Sequence, residues 1–332
     1  MTTMDDVARL AGVSTSTVSH VLNGTRKVNA ETRLRVEEAI EQTGYRRNVV
    51  ARALAAGRTN TVGLPISALT NPYFGSLVHA VERALSDAGY VLIVGDSHDE
   101  AESEKRVVDS LLGRKVDGMI VAPAAGSERA SLPEIARAGT PLVLIDRGAD
   151  IESDQVGPEN ESSAKALTDH LLDIGHTRVG VVRGLAGISS TTERFDGYVA
   201  ALSDRGIDLD ASLIVDGESN TEAAERGVYA LMSSADRPTA LVSMNNAMTI
   251  GTLKAIRRLG LSIPGDVAFV CYDDFEWSDL FEPKLTAAAQ DVETIGATAV
   301  ELLLRRIQGD DGAAQHIRVP TTFHHRNSCG CA

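Results

Sequence analysis

Carboxylates, amides and guanidinium groups recur in this chain where short apolar runs end. They stand at Asn71-Pro72-Tyr73-Phe74, Asp146-Arg147, Arg194 within Glu193-Arg194-Phe195-Asp196-Gly197-Tyr198, Asn245-Asn246 and Asp273-Asp274. Carboxylates accept, and amides and a fork-shaped Arg donate, the hydrogen bonds that vicinal hydroxyls need. An aromatic face covers the apolar face of a sugar or a base. The set suits recognition of a small polar molecule better than turnover. Paired carboxylates such as Asp273-Asp274 are compatible with acid–base work, but no base and nucleophile can be identified together. GxxxxGK[ST], GxSxG and HExxH do not occur. Gly184-Leu185-Ala186-Gly187 is too sparse for a dinucleotide loop. Each polar residue also has a structural reading: a strand-end Asp often caps the next helix, and Arg194 can pair with neighbouring acids.

A second constellation fills the first 24 residues, MTTMDDVARLAGVSTSTVSHVLNG. Thr3, three residues before Asp6, predicts a helix start in which a hydroxyl and a carboxylate satisfy free N–H groups. Val7 and Leu10 share a face at i, i+3 spacing. Gly12 breaks the helix, Val13 plugs the corner and Ser14 caps a second helix. There Val18, Val21 and Leu22 point inward, while Thr15, Ser16, Thr17, Ser19 and His20 stay near or on the outer side. A short polar helix held across a tight turn suits insertion into a DNA major groove. An ordinary αα-hairpin gives the same pattern.

Residues 29–44 read as a third helix, capped by Asn29, carrying the pair Val36 and Ile40 and stopped by Gly44. Next, Asn48 can cap a short helix running to Ala56, with Gly57 ending it; about nine residues of isolated helix are marginal in water. From Thr61 the pattern becomes short apolar strands, at 62–67, 91–96, 118–122, 142–146, 179–183, 213–215, 240–244 and 267–272, alternating with helices. Such alternation predicts parallel sheets covered on both faces. About 270 residues exceed one comfortable core, so two α/β lobes with a cleft are expected. In open α/β sheets ligands collect at the carboxyl ends of strands, where the polar residues stand.

The charge is uneven. Residues 1–60 carry nine Lys/Arg against six acids, net +3, which leaves −17 for the remainder of a chain whose total is −14. The basic part can meet phosphates and the acidic body would be repelled by them. No apolar run reaches the ~18 residues that span a bilayer. Asp5 and Asp6 stand where an export signal would be basic and apolar. With three cysteines, a reduced cytoplasm is the expected compartment, with no membrane association.

The chain resembles the lactose-repressor (LacI/GalR) family of bacterial transcription regulators. The matching residues are Asp6-Val7-Ala8, Ala11-Gly12-Val13-Ser14, Thr17-Val18-Ser19 and Val21-Leu22-Asn23-Gly24, then Asn48, Ala51, Arg52 and Leu54. In the body they are the Asn-Pro-aromatic-Phe segment, the Asp-Arg and Asp-Asp pairs, the Arg before an aromatic-containing Gly turn, Leu259 to Pro264, Leu285-Thr286 and the tail Arg326 to Cys331. The resemblance implies an N-terminal all-α helix-turn-helix domain plus an α/β two-lobed periplasmic-binding-protein-like (type I) effector domain. The DNA-binding domain would take 1–46, the hinge helix and linker 47–60, and the effector-binding and dimerisation domain 61–332. Lobe 1 would hold about 61–160 and 291–319, lobe 2 about 161–290 and 320–332.

The resemblance also assigns roles. DNA contacts would come from Thr3, Ser14, Thr15, Ser16, Thr17, Ser19, His20 and Asn23, and from Asn48, Ala51, Arg52 and Leu54 in the hinge. Leu54 would wedge into the minor groove and kink the duplex; the alternative packs it on protein. Tyr73 and Phe74 would line the effector pocket, with polar contacts from Asp146, Arg147, Arg194, Asn245, Asp273 and Gln290. Trp277, the sole tryptophan, closes the pocket or packs on a lobe. The implied partners are a pseudo-palindromic double-stranded operator, a second copy of the chain, and a small effector: a carbohydrate first, a nucleobase or nucleoside next. A tail coiled coil that would make a tetramer is not expected, because no heptads appear.

Departures from the family pattern are Arg47 for Pro, His20 for Arg, Asn246 for Asp and Glu159 for Asp. A shorter His reads a base edge less decisively than Arg reads guanine. His324-His325 with Cys329 and Cys331 offers soft ligands, but one close cluster at a chain end is a weak zinc signal. Neither metal nor cofactor is expected, and Cys271 reads as core. The function expected is an effector-controlled repressor of carbohydrate uptake or catabolism genes. The competing reading is a solute-binding receptor of the same fold without a DNA role.

Overall fold

The computed structural model describes residues 2–24, 26–45, 57–275, 278–280 and 282–331. Two compact units divide between Thr59 and Asn60. In the first, α1 (Met4–Ala11), α2 (Thr15–Asn23) and α3 (Ala30–Thr43) are each started by a capping side chain. Thr3 and Asp6 cap reciprocally, Ser14 accepts from the Thr17 N–H, and Asn29 accepts from the Thr32 N–H at 2.7 Å. Gly12, at φ 64°, takes the left-handed conformation that turns the chain from α1 towards α2.

The core of this unit is Val7, Ala8, Ala11, Val18, Val21, Val36 and Ala39, with Val13, Leu22 and Ile40 partly buried against it. One expectation fails. Leu10 is 53% exposed and does not share the buried face with Val7. The inward stripe runs Val7, Ala8, Ala11, because small side chains let α1 lie close to α3, and Leu10 turns outward.

The second unit holds two six-stranded sheets. The first has the order β11 (His316–Val319), β5 (Asp154–Pro158), β4 (Leu142–Ile145), β3 (Gly118–Val121), β1 (Thr61–Ile66), β2 (Val91–Asp96), all parallel. The second runs β12 (Thr321–His324), β10 (Thr286–Gln290), β9 (Ala268–Tyr272), β8 (Ala240–Ser243), β6 (Val179–Arg183), β7 (Ile214–Asp216). Its strands are parallel except β12, which is antiparallel to β10. Helices α4 (Pro72–Asp87), α5 (Ala101–Gly113), α6 (Leu132–Ala138) and α11 (Val292–Ile307) cover the first sheet. Helices α7 (Glu161–Asp173), α8 (Ser189–Ser203), α9 (Thr221–Met232) and α10 (Asn246–Arg258) cover the second. Strand interiors such as Val179–Val182 and Ala268–Tyr272 are buried, as sheets covered on both faces require.

The chain passes between the sheets after Pro158, after Gln290 and after Val319. The strands at these passages, β5, β10, β11 and β12, are additional to those expected. Among the described residues no helix is long and apolar enough to cross a membrane.

The first lobe is tied by an ion pair between α11 and β5. Arg306 donates through Nε to Asp154 Oδ2 at 2.7 Å and through Nη2 to Oδ1 at 3.0 Å. Burial alone would raise the Asp154 pKa, but Arg306 and the Gln315 N–H hold it below the ordinary carboxylate value. Its stabilising contribution is therefore present at neutral pH and is lost as pH falls through that lowered pKa. Arg306→Met should cost about 2–3 kcal/mol in chemical denaturation at pH 7, with a smaller difference from wild type in acid.

Candidate functional site

Asp146, Asn245 and Asp273 follow β4, β8 and β9, and Tyr73 and Phe74 open α4 after β1. Together with Arg147, Arg194 and Gln290 they line one cavity between the lobes. The geometry thus brings together all the described effector candidates. Trp277 lies outside the described residues.

At the centre is Arg194, 6% exposed. Its Nε donates to Asn160 Oδ1 at 2.8 Å and its Nη1 to the Met244 carbonyl at 2.6 Å. The guanidinium lies 3.7 Å above the Tyr272 ring. Burial disfavours this charge, but Tyr272, Asp273 and Asp146 hold the Arg194 pKa above its ordinary value. Asp273 accepts from the Asn246 N–H at 3.2 Å and from Gln290 Nε2. Burial raises the Asp273 pKa, against the pull of Arg194. Asp146 and Asp273 both have positive φ, 67° and 74°, an uncommon backbone state for a non-glycine residue.

The aromatic corner is a Tyr73–Phe74 pair, edge to face at 5.2 Å. Arg147 lies 5.7 Å from the Phe74 ring centre, pairs with Asp99, and has Nε 3.4 Å from Asp146. Among the described residues, three buried polar atoms at or beside the cavity have no hydrogen-bond partner, Tyr73 Oη, Asn246 Oδ1 and Gln290 Oε1, and Arg147 Nε has only its ion-pair approach to Asp146. Burial and then the carboxylates of Asp146 and Asp273 push the Tyr73 pKa well up, so its hydroxyl stays protonated. Unpaired buried donors and acceptors are costly, and a polar ligand would satisfy them. The free volume is about 30 Å³ to a water-sized sphere, and a cavity of about 340 Å³ adjoins it, sharing Tyr73, Asp273 and Gln290. Ligand pockets usually run to several hundred Å³, a size that the adjoining cavity reaches and the inner one does not.

Asn245 keeps part of its capping role. Its Oδ1 accepts from the Met248 N–H at 2.8 Å, which leaves its amide NH2 for other contacts. Three participants were not among the effector candidates: Asn160, which stands at the expected passage between lobes, orients Arg194 and donates to Glu193 at 2.7 Å, the Met244 carbonyl, and the Tyr272 ring. Two contacts clasp the lobes at the rim. Gly148 N–H donates to Ser189 Oγ at 2.9 Å, and Arg318 on β11 pairs with Glu193 on α8.

In the N-terminal unit, Thr15 and Ser16 are exposed and Thr17, Ser19 and His20 half-buried. Ser14 Oγ lies 2.8 Å from Ser16 Oγ and 2.9 Å from Thr17 Oγ1. The hydroxyls therefore cluster at the start of α2, where N–H groups point outward. Thr3 is exposed and its hydroxyl donates to Asp6. Asn23 ends α2. The hinge candidates Asn48, Ala51, Arg52 and Leu54 lie outside the described residues.

The family model for bacterial regulatory proteins, lacI family, matches residues 3–48, and that for a periplasmic binding protein-like domain matches 168–329. The HTH-type transcriptional repressor PurR of Aliivibrio salmonicida (strain LFI1238) is 34% identical over 309 residues, covering 93% of each chain. The chain belongs to the lacI family. Among solved structures, the Lac repressor dimer bound to operator and the anti-inducer ONPF superposes with a TM-score of 0.88 at 26% identity, covering 99% of each chain. The complex of the transcriptional regulator CelR with cellobiose gives 0.74 at 29% identity, covering 99% of this chain and 100% of that one. This lacI-family protein is accordingly a DNA-binding transcriptional repressor with a small-molecule effector, not an enzyme.

Ser14→Ala removes the hydroxyl that accepts from the Thr17 N–H. It should destabilise the N-terminal unit of this repressor by about 1 kcal/mol, seen as an earlier loss of helical signal on heating.

Proposed function

We propose that this repressor acts as a homodimer on a pseudo-palindromic operator and that its effector is polyhydroxylated, a sugar or sugar derivative, held in the Arg194 cleft. The observation that carries the effector class is the cleft's chemistry. Carboxylates, carboxamides and two guanidinium groups converge on it, three buried polar atoms in or beside it lack a hydrogen-bond partner among the described residues, and the described aromatic contribution is one corner. Tyr73 and Phe74 stand at 68° to each other and form no parallel-walled slot for a flat base. The CelR relative was solved with cellobiose. A purine base is the second reading, favoured by the name of the PurR relatives and by the same ring pair.

In this scheme Tyr73, Phe74, Asp146 and Arg147 hold the effector from one lobe, and Arg194, Asn245 and Asp273 from the other. Gln290 stands at a passage between the lobes. Such a ligand prefers one lobe angle, without which no shift in DNA affinity follows. Residues 47–60, which join the two units along the chain, carry the change to the reading units. Thr3, Ser14, Thr15, Ser16, Thr17, Ser19, His20 and Asn23, with Asn48, Ala51, Arg52 and Leu54, form the DNA-facing set. A receptor without DNA function is disfavoured by the capped three-helix unit.

Calorimetric titration of the full chain with monosaccharides, disaccharides, nucleobases and nucleosides tests the effector class. A saccharide should bind with saturation, and Arg194→Lys should weaken it about 10- to 100-fold, the value of a lost charge-assisted bond. Saturable binding of a purine and of no sugar would establish the second reading instead. For DNA, His20→Ala should relax preference at one base pair per half-site by about 1–3 kcal/mol in operator-variant anisotropy. Uniform weakening across all variants would remove His20 from base reading.

A further inference from the structure

A cluster outside the cleft has the composition of a metal centre. The ligating atoms of His170, His325, Cys329 and Cys331 lie within 4.8 Å of one another. Cys331 Sγ is 3.0 Å from His325 Nε2, 3.0 Å from Cys329 Sγ and 3.4 Å from His170 Nε2. Cys329 Sγ is 3.4 Å from His325 Nε2. A tetrahedral zinc ion with Zn–S of about 2.3 Å and Zn–N of about 2.0–2.1 Å separates its ligand atoms by roughly 3.3–3.8 Å. The cluster needs only small adjustments to reach that geometry.

We propose that these four side chains bind one zinc ion as a closed Cys2His2 site that clips the C-terminal tail to α7. The sequence hid the site because His170 stands more than 150 positions before the tail, and the tail alone offers too few well-spaced ligands. Folding supplies the fourth donor in place of His324, the other tail histidine. The intervening Gly330, at φ 83°, turns the Cys-Gly-Cys segment so that both sulfurs reach one point. Thr286 Oγ1 is 3.5 Å from Cys329 Sγ and donates to it, a contact that orients the sulfur. The His170 ring meets His325 at 5.1 Å and Phe323 at 5.4 Å, and these contacts orient it. All three cysteines are free. Cys329 is buried while His325 is exposed, so an ion has access from solvent.

The donor set selects the metal class. Two thiolates with two imidazoles neutralise a divalent ion, match zinc's preference for sulfur and nitrogen, and leave no open position for catalysis. The site lies wholly in the lobe that follows the last passage between sheets. Its role is to fix β12 and the tail against α7, independently of the effector cleft.

The test uses the full chain, purified under reductant without chelator, exposed to zinc chloride and gel-filtered. Elemental analysis should find one zinc per chain, and cobalt substitution should give the visible bands of a tetrahedral thiolate site. The Cys329→Ser/Cys331→Ser double variant should retain none. His325→Ala, an exposed and conformationally mild change, should lose at least tenfold in zinc affinity by chelator competition while its circular dichroism stays that of wild type. Zinc-free wild-type protein after this treatment would overturn the proposal. So would zinc retained by the double variant, or a Cys329–Cys331 disulfide that persists in reductant.

Discussion

A guanidinium removed from water governs the design of the sensor unit. Burying an isolated ion costs several kcal/mol, and Arg194 is compensated from every side. Asn160 and the Met244 carbonyl accept its hydrogen bonds, the Tyr272 ring lies under its face, and the charges of Asp146 and Asp273 favour it. These groups belong to both lobes and to a passage between them. A change in the angle between the lobes therefore changes the environment of this charge. On the proposed function, a ligand that pairs with Arg194 and with Asp146 better in one lobe arrangement shifts the balance towards that arrangement.

The N-terminal unit follows the opposite electrostatic rule. The basic segment 1–60 carries net +3 while the rest carries −17, so contact with DNA is favoured at one end only. The capped helices keep a polar, hydroxyl-rich start of α2 exposed over a small apolar core. Reader and sensor are each stabilised on their own terms.

Much of this was legible in the sequence, because its signals were local. Thr3, Ser14 and Asn29 announce helix starts through their capping hydroxyls and amide, and continuous runs such as 179–183 announce buried parallel strands. The strands at the passages between lobes were not legible. Asp154–Pro158 contains Gly and Pro, Thr286–Gln290 is alanine-rich and lacks a β-branched run, and His316–Val319 has one buried residue. Their strand character comes from neighbours distant in sequence. Leu10 was misread for a related reason: the partner helix, not the spacing of the larger apolar residues, decides which face is buried. In the cleft, strand-end position and residue chemistry marked Asp146 and Asp273, while Arg194, which lies inside α8, was marked by its chemistry and the family resemblance. The sequence marked Asn160 only as a passage between lobes; its part in holding Arg194, like that of Tyr272, shows only in their contacts, and His170 only in its approach to the tail cysteines.

The claim that the Arg194 cleft controls DNA binding rests on thermodynamic coupling, which must be reciprocal. The most direct measurement is the operator dissociation constant at rising effector concentration, paired with the effector dissociation constant with and without saturating operator. The account predicts that the two ligands change each other's affinity by the same factor, and that Arg194→Lys shifts the effector concentration at which the change occurs. An effector that saturates the cleft while operator affinity stays constant would contradict it.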